Sequence, residues 1–184
     1  MGDRHQFRAE WHDYNDGSYF ITLCCDGGHH YFGEIYNIEI VYSQIGKIVT
    51  ECIEEIPKHN PNIEVGKYVV MPNHIHMILN ISDSDSQTTN GRIGCLRHPC
   101  HDNPCPDFHY NSSLSVAIKT FKAACTRKIR EYLNSSSFKL WQRNYYETII
   151  RDIRSLDKII NYIDTNIENW PHDCYFQKKS ESDQ

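Results

Sequence analysis

Residues 63–81, IEVGKYVVMPNHIHMILNI, decide the fold of this chain. Two runs in this stretch, residues 63–71 and 75–81, are rich in the β-branched and aromatic residues that are typical of strands. Between the runs, Pro72 and Asn73 form a turn signal, because proline presets its backbone angle and asparagine tolerates tight turns. The stretch therefore predicts two neighbouring antiparallel strands.

The second of these strands carries a pair of histidines. Side chains two residues apart project from the same face of a strand, so His74 and His76 lie together while Ile75 and Met77 face the opposite way. Two imidazoles held side by side supply half of a metal site. Taken alone, the H-x-H pattern is weak, since paired histidines in a strand are often incidental. A histidine-triad hydrolase is set aside because the third alternating position is Ile78.

Hydrophobic periodicity predicts the remaining elements. Further strands are expected at residues 18–25, 31–34 and 38–42 and within 138–152, and helices at 44–56, 114–133 and 152–170. Ser43 is the expected N-cap of the first helix, and Pro57 its end. The order β-α-β-β-α-β, followed by one more helix, predicts an α+β fold in which helices cover a ferredoxin-like antiparallel sheet.

The chain is expected to form a single domain over residues 1–184, with its core at about residues 18–170. A length of 184 residues is enough for one hydrophobic core and short for two. Residues 82–113 are polar and rich in proline, glycine and asparagine, and they exceed ordinary loop lengths, which predicts a flexible insertion. Residues 171–184 are expected to form a C-terminal tail.

Composition favours a cytoplasmic protein without a membrane partner. No run approaches the roughly 20 apolar residues of a membrane-spanning helix, and the first residues lack the apolar stretch of a signal peptide. Most of the eight cysteines are then expected to be reduced, and Cys24, Cys52 and Cys125 fall in apolar patterns typical of core positions. A competing hypothesis places zinc in the insertion, where six candidate ligands cluster: Cys95, His98, Cys100, His101, Cys105 and His109.

The net charge of -5 is unevenly distributed along the chain. Residues 114–154 contain nine basic and three acidic residues, a local balance of +6. Such a segment can form a phosphate-binding face on an acidic protein, although a solvated helix face would show the same pattern. The candidates for contacts with a nucleic-acid backbone are Lys119, Lys122, Arg127, Lys128, Arg143 and Arg151.

The last predicted helix presents a polar face beside its apolar stripe. Tyr162 lies off the centre of the stripe, and Lys158 and Asn166, four residues before and after it, share its face. A tyrosine that only flanks the core would give the same pattern. The stripe itself is expected to be buried and consists of Ile153, Leu156, Ile159, Ile160, Ile163 and Ile167.

Three strings in this order, MPNHIHMIL (71–79), WQRNYYETIIRD (141–152) and DKIINYIDTNIENW (157–170), resemble the REP-associated tyrosine transposases. That group belongs to the HUH single-tyrosine transposases of bacterial insertion sequences. The resemblance therefore implies a fold of the HUH endonuclease type. Shorter similarities in YFGEI, SQIGKIV and IPKHNPNIEVGKYVV extend it over about residues 19–170.

The resemblance also implies an activity and a site. The activity is metal-dependent nicking and strand transfer of single-stranded DNA, as in DNA transposition, through a covalent 5′-phosphotyrosine intermediate. His74 and His76 match the two HUH histidines. Tyr162 matches the nucleophile of a Y-I-x-x-N segment, and Asn166 matches the amide that completes the metal site in relatives. Mg²⁺ or Mn²⁺ is the implied cofactor, the DNA is implied to form hairpins, and relatives occur as monomers and as homodimers.

The chain departs from the family in one place. Relatives read asparagine-proline where Ile167 follows Asn166 here. Without that proline we expect the last helix to continue towards Trp170, where Pro171 would end it.

Alternatives remain open for the nucleophile and for the activity. Tyr145 and Tyr146 are rival nucleophiles, although the corresponding stretch in the family is structural or DNA-facing. With Trp141 they are also candidates to stack on unpaired bases, and for Trp141 a core position is the favoured prediction. The alternative class is a domesticated, non-catalytic nucleic-acid-binding protein, which would not need the histidine pair and the tyrosine together.

Overall fold

A central antiparallel sheet of four strands organises the computed structural model, which describes residues 16–82 and 112–176. The six strands in chain order are β1 Gly17–Cys24, β2 Gly33–Tyr36, β3 Glu39–Tyr42, β4 Ile63–Val70, β5 His74–Ile81 and β6 Tyr146–Ile150. The helices are α1 Gln44–Glu54, α2 Ile56–His59, α3 Ser113–Leu133 and α4 Ile153–Thr165, with 3-10 turns at Asp26–Gly28 and Trp170–His172.

The strand order in the sheet is β4-β5-β1-β6, and β2 and β3 pair separately as a two-stranded ribbon. All pairings are antiparallel, with Thr22 opposite His76 and Cys24 opposite His74. This is the ferredoxin-like α+β arrangement that the sequence predicted. Within the stretch predicted as the last strand, only Tyr146–Ile150 belongs to the sheet, while Trp141 forms an isolated bridge with Cys25.

The two faces of the sheet are covered by different helices. One face of β5, with Ile75 and Met77, packs into the main core beneath α1 and α3. The other face carries Ile78, which packs with Ile163 of α4 and with Trp170. Because side chains alternate along a strand, the histidines of β5 lie on the α4 face. Trp141 is buried in the main core, as predicted.

Helix α1 begins at the predicted cap. The Ser43 hydroxyl accepts a hydrogen bond from the backbone N–H of Gly46 at 3.0 Å and donates to the carbonyl oxygen of Tyr31 at 2.6 Å. The cap therefore joins α1 to the loop before β2. The prediction that Pro57 ends this helix is wrong by a small margin, because α1 stops at Glu54 and Pro57 occupies the first turn of α2, where proline is tolerated.

Gly46 is required by a close backbone approach rather than by helix formation. A Cβ atom at this position would overlap the carbonyl oxygen of Phe32. In an open helix, Gly→Ala stabilises by up to about 1 kcal/mol. Here we expect Gly46→Ala to destabilise the fold by about 1–3 kcal/mol, because the loop must move away. Urea denaturation tests this against Lys47→Ala, an exposed change in the same helix, and equal midpoints for both variants would contradict it.

Helix α4 is shorter than predicted. It ends at Thr165 rather than Trp170, and Asn166 is its C-cap with helical backbone angles. The predicted burial of Ile153 is wrong, since this first residue of the helix is 68% exposed. A first turn has few neighbours to pack against. Ile163 is fully buried, and the remaining residues of the predicted stripe pack partly buried beside it: Leu156, Ile159, Ile160 and Ile167.

The predictions about cysteines, membrane helices and the insertion can be compared with the described residues only. Within that region the cysteines are free thiols, and Cys24, Cys52 and Cys125 are buried as predicted. Across residues 16–82 and 112–176, no helix is long and apolar enough to cross a membrane. The candidate zinc cluster and nearly all of the predicted insertion lie outside the described residues.

Candidate active site

The predicted histidine pair forms the centre of a buried cluster. His74 and His76 are almost completely buried, and their Nε2 atoms lie 3.0 Å apart. Strand alternation brings them to one face, and pairing of β5 with β1 on one side and β4 on the other holds that face rigidly in the middle of the sheet.

Asn73 fixes the orientation of His74. Its amide nitrogen donates to the carbonyl oxygens of Gly28 at 3.1 Å and Tyr175 at 2.8 Å. The amide oxygen therefore faces His74 Nδ1, at 2.8 Å. Because an amide oxygen only accepts hydrogen bonds, Nδ1 of His74 must be the protonated nitrogen. Its Nε2 consequently presents a lone pair towards His76, as a metal-binding histidine requires.

His76 is held in a similar way by β1. Its Nδ1 lies 2.8 Å from the hydroxyl of Thr22, and its ring stacks on Phe20 with centroids 5.2 Å apart. Burial lowers the pKa of His76 to about 4 and, together with the neighbouring imidazoles, lowers the pKa of His74 well below its ordinary value. Both rings are therefore neutral at pH 7, the state in which imidazole binds metals.

Asp173 completes a group that the sequence did not predict. Its carboxylate oxygen lies 3.9 Å from His74 Nε2, and the side chain is 4% exposed. Ligand atoms of His74, His76 and Asp173 all fall within 4.8 Å of one another, which makes a possible metal site. No sequence pattern marks Asp173, which lies beyond Pro171 in the segment predicted as a tail. The turn Trp170–His172 returns the chain to the sheet.

Tyr175 is a second residue that the sequence did not single out. Its ring lies 4.6 Å from that of His74, and its hydroxyl is hydrogen-bonded to the thiol of Cys24. Burial raises the pKa of Tyr175. It therefore acts as a wall of the cluster, neutral at physiological pH.

Tyr162 projects from α4 onto the histidine pair. Its hydroxyl oxygen lies 3.2 Å from His76 Nε2, and its ring meets Phe20 edge-on. Burial and the nearby charge of Asp173 raise the pKa of Tyr162, while a hydrogen bond from Asn166 opposes that change. The residue as a whole is still 41% exposed, so the tyrosine lies at the border between the buried cluster and the protein surface.

Asn166 stands one turn further along α4, as predicted. It is 2% exposed, and its amide oxygen is buried without a hydrogen-bond partner in the described part of the chain. An unsatisfied buried acceptor costs about 1–3 kcal/mol. Such an oxygen beside Tyr162 suits a cation at this site.

The rival tyrosines lie elsewhere. Tyr146 begins β6 and is 51% exposed, whereas Tyr145 is partly buried against the main core. The tyrosines that contact His76 are Tyr162, through its hydroxyl, and Tyr175, whose ring centroid lies 6.2 Å from that of His76.

A groove of about 900 Å³ collects part of the predicted basic set. We call it the basic groove. The backbone N–H of Gln142, one of the lining residues, donates to the carbonyl oxygen of Cys24 at 3.0 Å, and Cys24 pairs with His74 across the sheet. One wall of the groove is thus bonded to β1, the strand next to the histidines, while most of its lining belongs to α3 and the segment after it, on the side of the main core. Its polar lining includes Lys122, Arg127, Arg130, Glu131, Gln142 and Arg143.

Not every residue of the predicted basic set is free to contact DNA in the basic groove. The Lys122 ammonium donates to the carbonyl oxygens of Gln142 and Arg143 at 2.7 and 3.3 Å, so it braces the groove wall. Lys128 forms an ion pair with Glu55 at 2.8 Å, away from the groove. The two remaining members of the set are exposed and do not line it: Lys119 on α3 and Arg151 after β6.

Comparisons with known proteins agree with this fold. No model of a known protein family matches the chain. An uncharacterized protein of Haemophilus influenzae strain Rd is 34% identical over 171 residues, which cover 92% of this chain and 91% of that protein. The structure of a REP-associated tyrosine transposase bound to a REP hairpin superposes with a TM-score of 0.51 at 13% identity, covering 93% of this chain and 81% of that one.

The structural comparison identifies the fold of this chain, and the sequence comparison identifies its family. The chain has the fold of the REP-associated tyrosine transposases, as the sequence predicted. It belongs to the same family as the Haemophilus influenzae protein.

Proposed function

We propose that this protein is a metal-dependent single-stranded DNA endonuclease and strand transferase, acting in DNA transposition through a covalent bond to Tyr162. The observation that carries the proposal is the 3.2 Å contact between the Tyr162 hydroxyl and His76 Nε2, beside the buried group of His74 and Asp173. A tyrosine that only flanked the core would have no reason to face two neutral imidazoles and a carboxylate.

The donor set fits a divalent cation. Ligand atoms of two neutral imidazoles and one carboxylate lie within 4.8 Å of one another, and the two imidazole nitrogens are 3.0 Å apart. His74, His76 and Asp173 would hold the ion, and the unpaired amide oxygen of Asn166 is the candidate for a further ligand. Oxygen and nitrogen ligands together suit Mg²⁺ or Mn²⁺. When bound, the ion would polarise the scissile phosphate and neutralise developing charge.

The chain's own residues carry the covalent step. The oxygen of Tyr162 bonds to phosphorus and loses its proton, while the bond from phosphorus to the 3′ oxygen breaks and that oxygen takes up a proton. The resulting 5′-phosphotyrosine keeps the energy of the phosphodiester, so another 3′-hydroxyl can reverse the step and complete strand transfer. Because the pKa of Tyr162 is raised in the metal-free protein, the phenol is protonated there, and positive charge nearby is needed to activate it.

The basic groove is the proposed path of the DNA backbone. Arg127, Arg130 and Arg143 line it, and Gln142 in the same lining is bonded to β1, the strand next to the histidines. The REP-associated tyrosine transposase that shares this fold was solved bound to a REP hairpin. We infer that the substrate of this protein is likewise a single strand that forms a hairpin. Tyr162 reaches the histidines of its own chain, so one copy is sufficient to assemble the site.

Replacing the arginines of the basic groove with neutral residues is expected to weaken DNA binding and to make the binding less dependent on salt concentration. Each phosphate contact to a single strand contributes about 0.7 to the slope of log affinity against log salt. Arg127→Gln and Arg143→Gln should each lower the slope by about that amount. Lys128→Gln removes the same charge from a residue paired with Glu55 and is the matched control. Identical slopes for the three variants and the unmodified protein would place the DNA elsewhere.

A direct test of the function is incubation of the protein with Mn²⁺ and a labelled single strand that contains a hairpin. The expected product is a protein–DNA adduct whose peptide map assigns the bond to Tyr162, together with a released strand ending in a 3′-hydroxyl. DNA binding without any adduct would instead support the non-catalytic nucleic-acid-binding alternative.

A further inference from the structure

We propose that a pocket beside the histidine cluster binds one unpaired nucleobase of the DNA strand, from the nucleotide next to the scissile phosphate. The inference rests on the proposed function and adds a specificity site to it. The pocket has a volume of about 420 Å³ and lies between the β2–β3 ribbon and the chain that follows α4. We call it the ribbon pocket, and its lining includes His30, Glu34, Ile35, Ile38, Trp170 and Phe176.

The ribbon pocket is one aromatic ring away from the proposed metal site. The Trp170 ring lies 6.0 Å from that of His74 on one side and 5.6 Å from that of His30 on the other. A base and the phosphate of its own nucleotide are separated only by a sugar. A phosphate at the histidine pair would therefore bring its base to this pocket or to its immediate rim.

The walls of the pocket suit a flat aromatic ligand. Trp170 and Phe176 meet edge to face with centroids 5.3 Å apart, and Ile35 and Ile167 add apolar surface. Enzymes that act on nucleic acids receive unstacked bases in pockets of this kind, between aromatic and apolar side chains. The phosphates need no cation here, because they would lie at the metal site and in the basic groove.

The polar end of the pocket is formed by an imidazole that lacks a hydrogen bond. Both ring nitrogens of His30 are buried without a hydrogen-bond partner in the described residues. A Glu34 carboxylate oxygen lies 3.5 Å from His30 Nδ1 and orients the ring. Because a neutral imidazole offers one donor and one acceptor, it can pair with the polar edge of a base, which would remove the cost of its burial.

One residue at the rim of the pocket is held under backbone strain. Asn37 and Ile38 are the two central residues of the hairpin turn between β2 and β3, a turn that requires positive φ, and their φ angles are 49° and 65°. Asparagine tolerates this conformation. For a β-branched residue such as isoleucine this conformation is an outlier. The Ile38 side chain is 62% exposed at the pocket mouth. Strained residues of this kind concentrate at ligand-binding sites, and an exposed isoleucine at this position gives the base an apolar edge to pack on.

The test is a scan of the unpaired positions of a hairpin-containing single strand. At each position in turn, 2-aminopurine reports stacking through loss of its fluorescence, and an abasic nucleotide removes the base. We expect quenching at one position near the cleavage site, with an abasic nucleotide there weakening binding by roughly 5- to 150-fold, the range for one stacked base. Both measurements use Tyr162→Phe, so that binding is separated from cleavage.

Variants assign the effect to the ribbon pocket. His30→Ala and Ile38→Ala should each reduce the penalty of the abasic nucleotide at that position, because the contact is already lost. His29→Ala, an exposed neighbouring histidine, and Val41→Ala, an exposed ribbon residue outside the pocket, should leave the penalty unchanged. An abasic penalty that survives His30→Ala and Ile38→Ala assigns the base to another surface and overturns the proposal.

Other outcomes separate this inference from the proposed function. A flat scan combined with a normal Tyr162 adduct in the unmodified protein overturns the pocket alone. Failure to bind single-stranded DNA at all overturns both proposals.

Discussion

Tyr162→Phe is expected to abolish formation of the covalent protein–DNA adduct and to reduce nicking by at least about a thousandfold, because loss of a nucleophile removes the covalent route altogether. The substitution deletes one oxygen atom from a half-exposed ring, so the fold should be retained. That oxygen contacts His76 at 3.2 Å, whereas the ring keeps its packing on Phe20. Gel analysis of the labelled strand under denaturing conditions measures both products.

Two other tyrosines provide matched controls for this experiment. Tyr146→Phe changes the rival nucleophile in β6, and Tyr175→Phe removes a hydroxyl that is bonded to Cys24. Both variants should still form the adduct. Equal nicking by Tyr162→Phe and the unmodified protein would rule out Tyr162 as the nucleophile. An adduct that disappears only in Tyr146→Phe would transfer that role to the second tyrosine.

Mn²⁺ is expected to stabilise the folded protein, because only the folded chain brings the histidine pair and Asp173 together. A ligand present at a hundred times its dissociation constant stabilises by about 2.7 kcal/mol. For a domain of this size, that corresponds to a rise in Tm of about 5–11 °C. His76→Ala and Asp173→Asn should lose most of the rise, and nicking should vanish in the presence of a chelator.

Controls for the metal prediction use the same residue types outside the cluster. Asp164→Asn changes an exposed aspartate that pairs with Lys67, and His59→Ala changes an exposed histidine of α2. Both variants should show the full Mn²⁺-dependent rise. The metal assignment fails if His76→Ala keeps the same rise as His59→Ala. Asn166→Ala is informative as well, since a smaller rise would show that the unpaired amide oxygen contributes to the site.

The outcomes of these two experiments in combination separate the functional classes. Adduct formation together with metal-dependent stabilisation supports the enzyme. Metal-dependent stabilisation and DNA binding without an adduct, even from the unmodified protein, would describe a binding protein that has kept the site but not the reaction.

Local pattern in the sequence was sufficient for the order of the main elements and for the histidine pair, although not for the ends of α1, α4 and the last strand. The strand period of two places His74 and His76 on one face, and the helical period places Tyr162 and Asn166 on one face of α4. The cap at Ser43 and the central strand pair around Pro72 also follow from short-range preferences. Each of these relations joins residues within one element or one turn, so backbone geometry alone sets it.

Only the tertiary structure decided which faces meet. Helix α4 packs on the same side of the sheet as the histidines, which brings Tyr162 to His76 across 86 positions of sequence and leaves Tyr146 outside. The turn after α4 adds Asp173 to the cluster. It had no sequence signal, because an isolated acid after a predicted helix end is common on protein surfaces. Periodicity specifies the direction of a side chain relative to its own element, whereas the packing of layers determines what that side chain contacts.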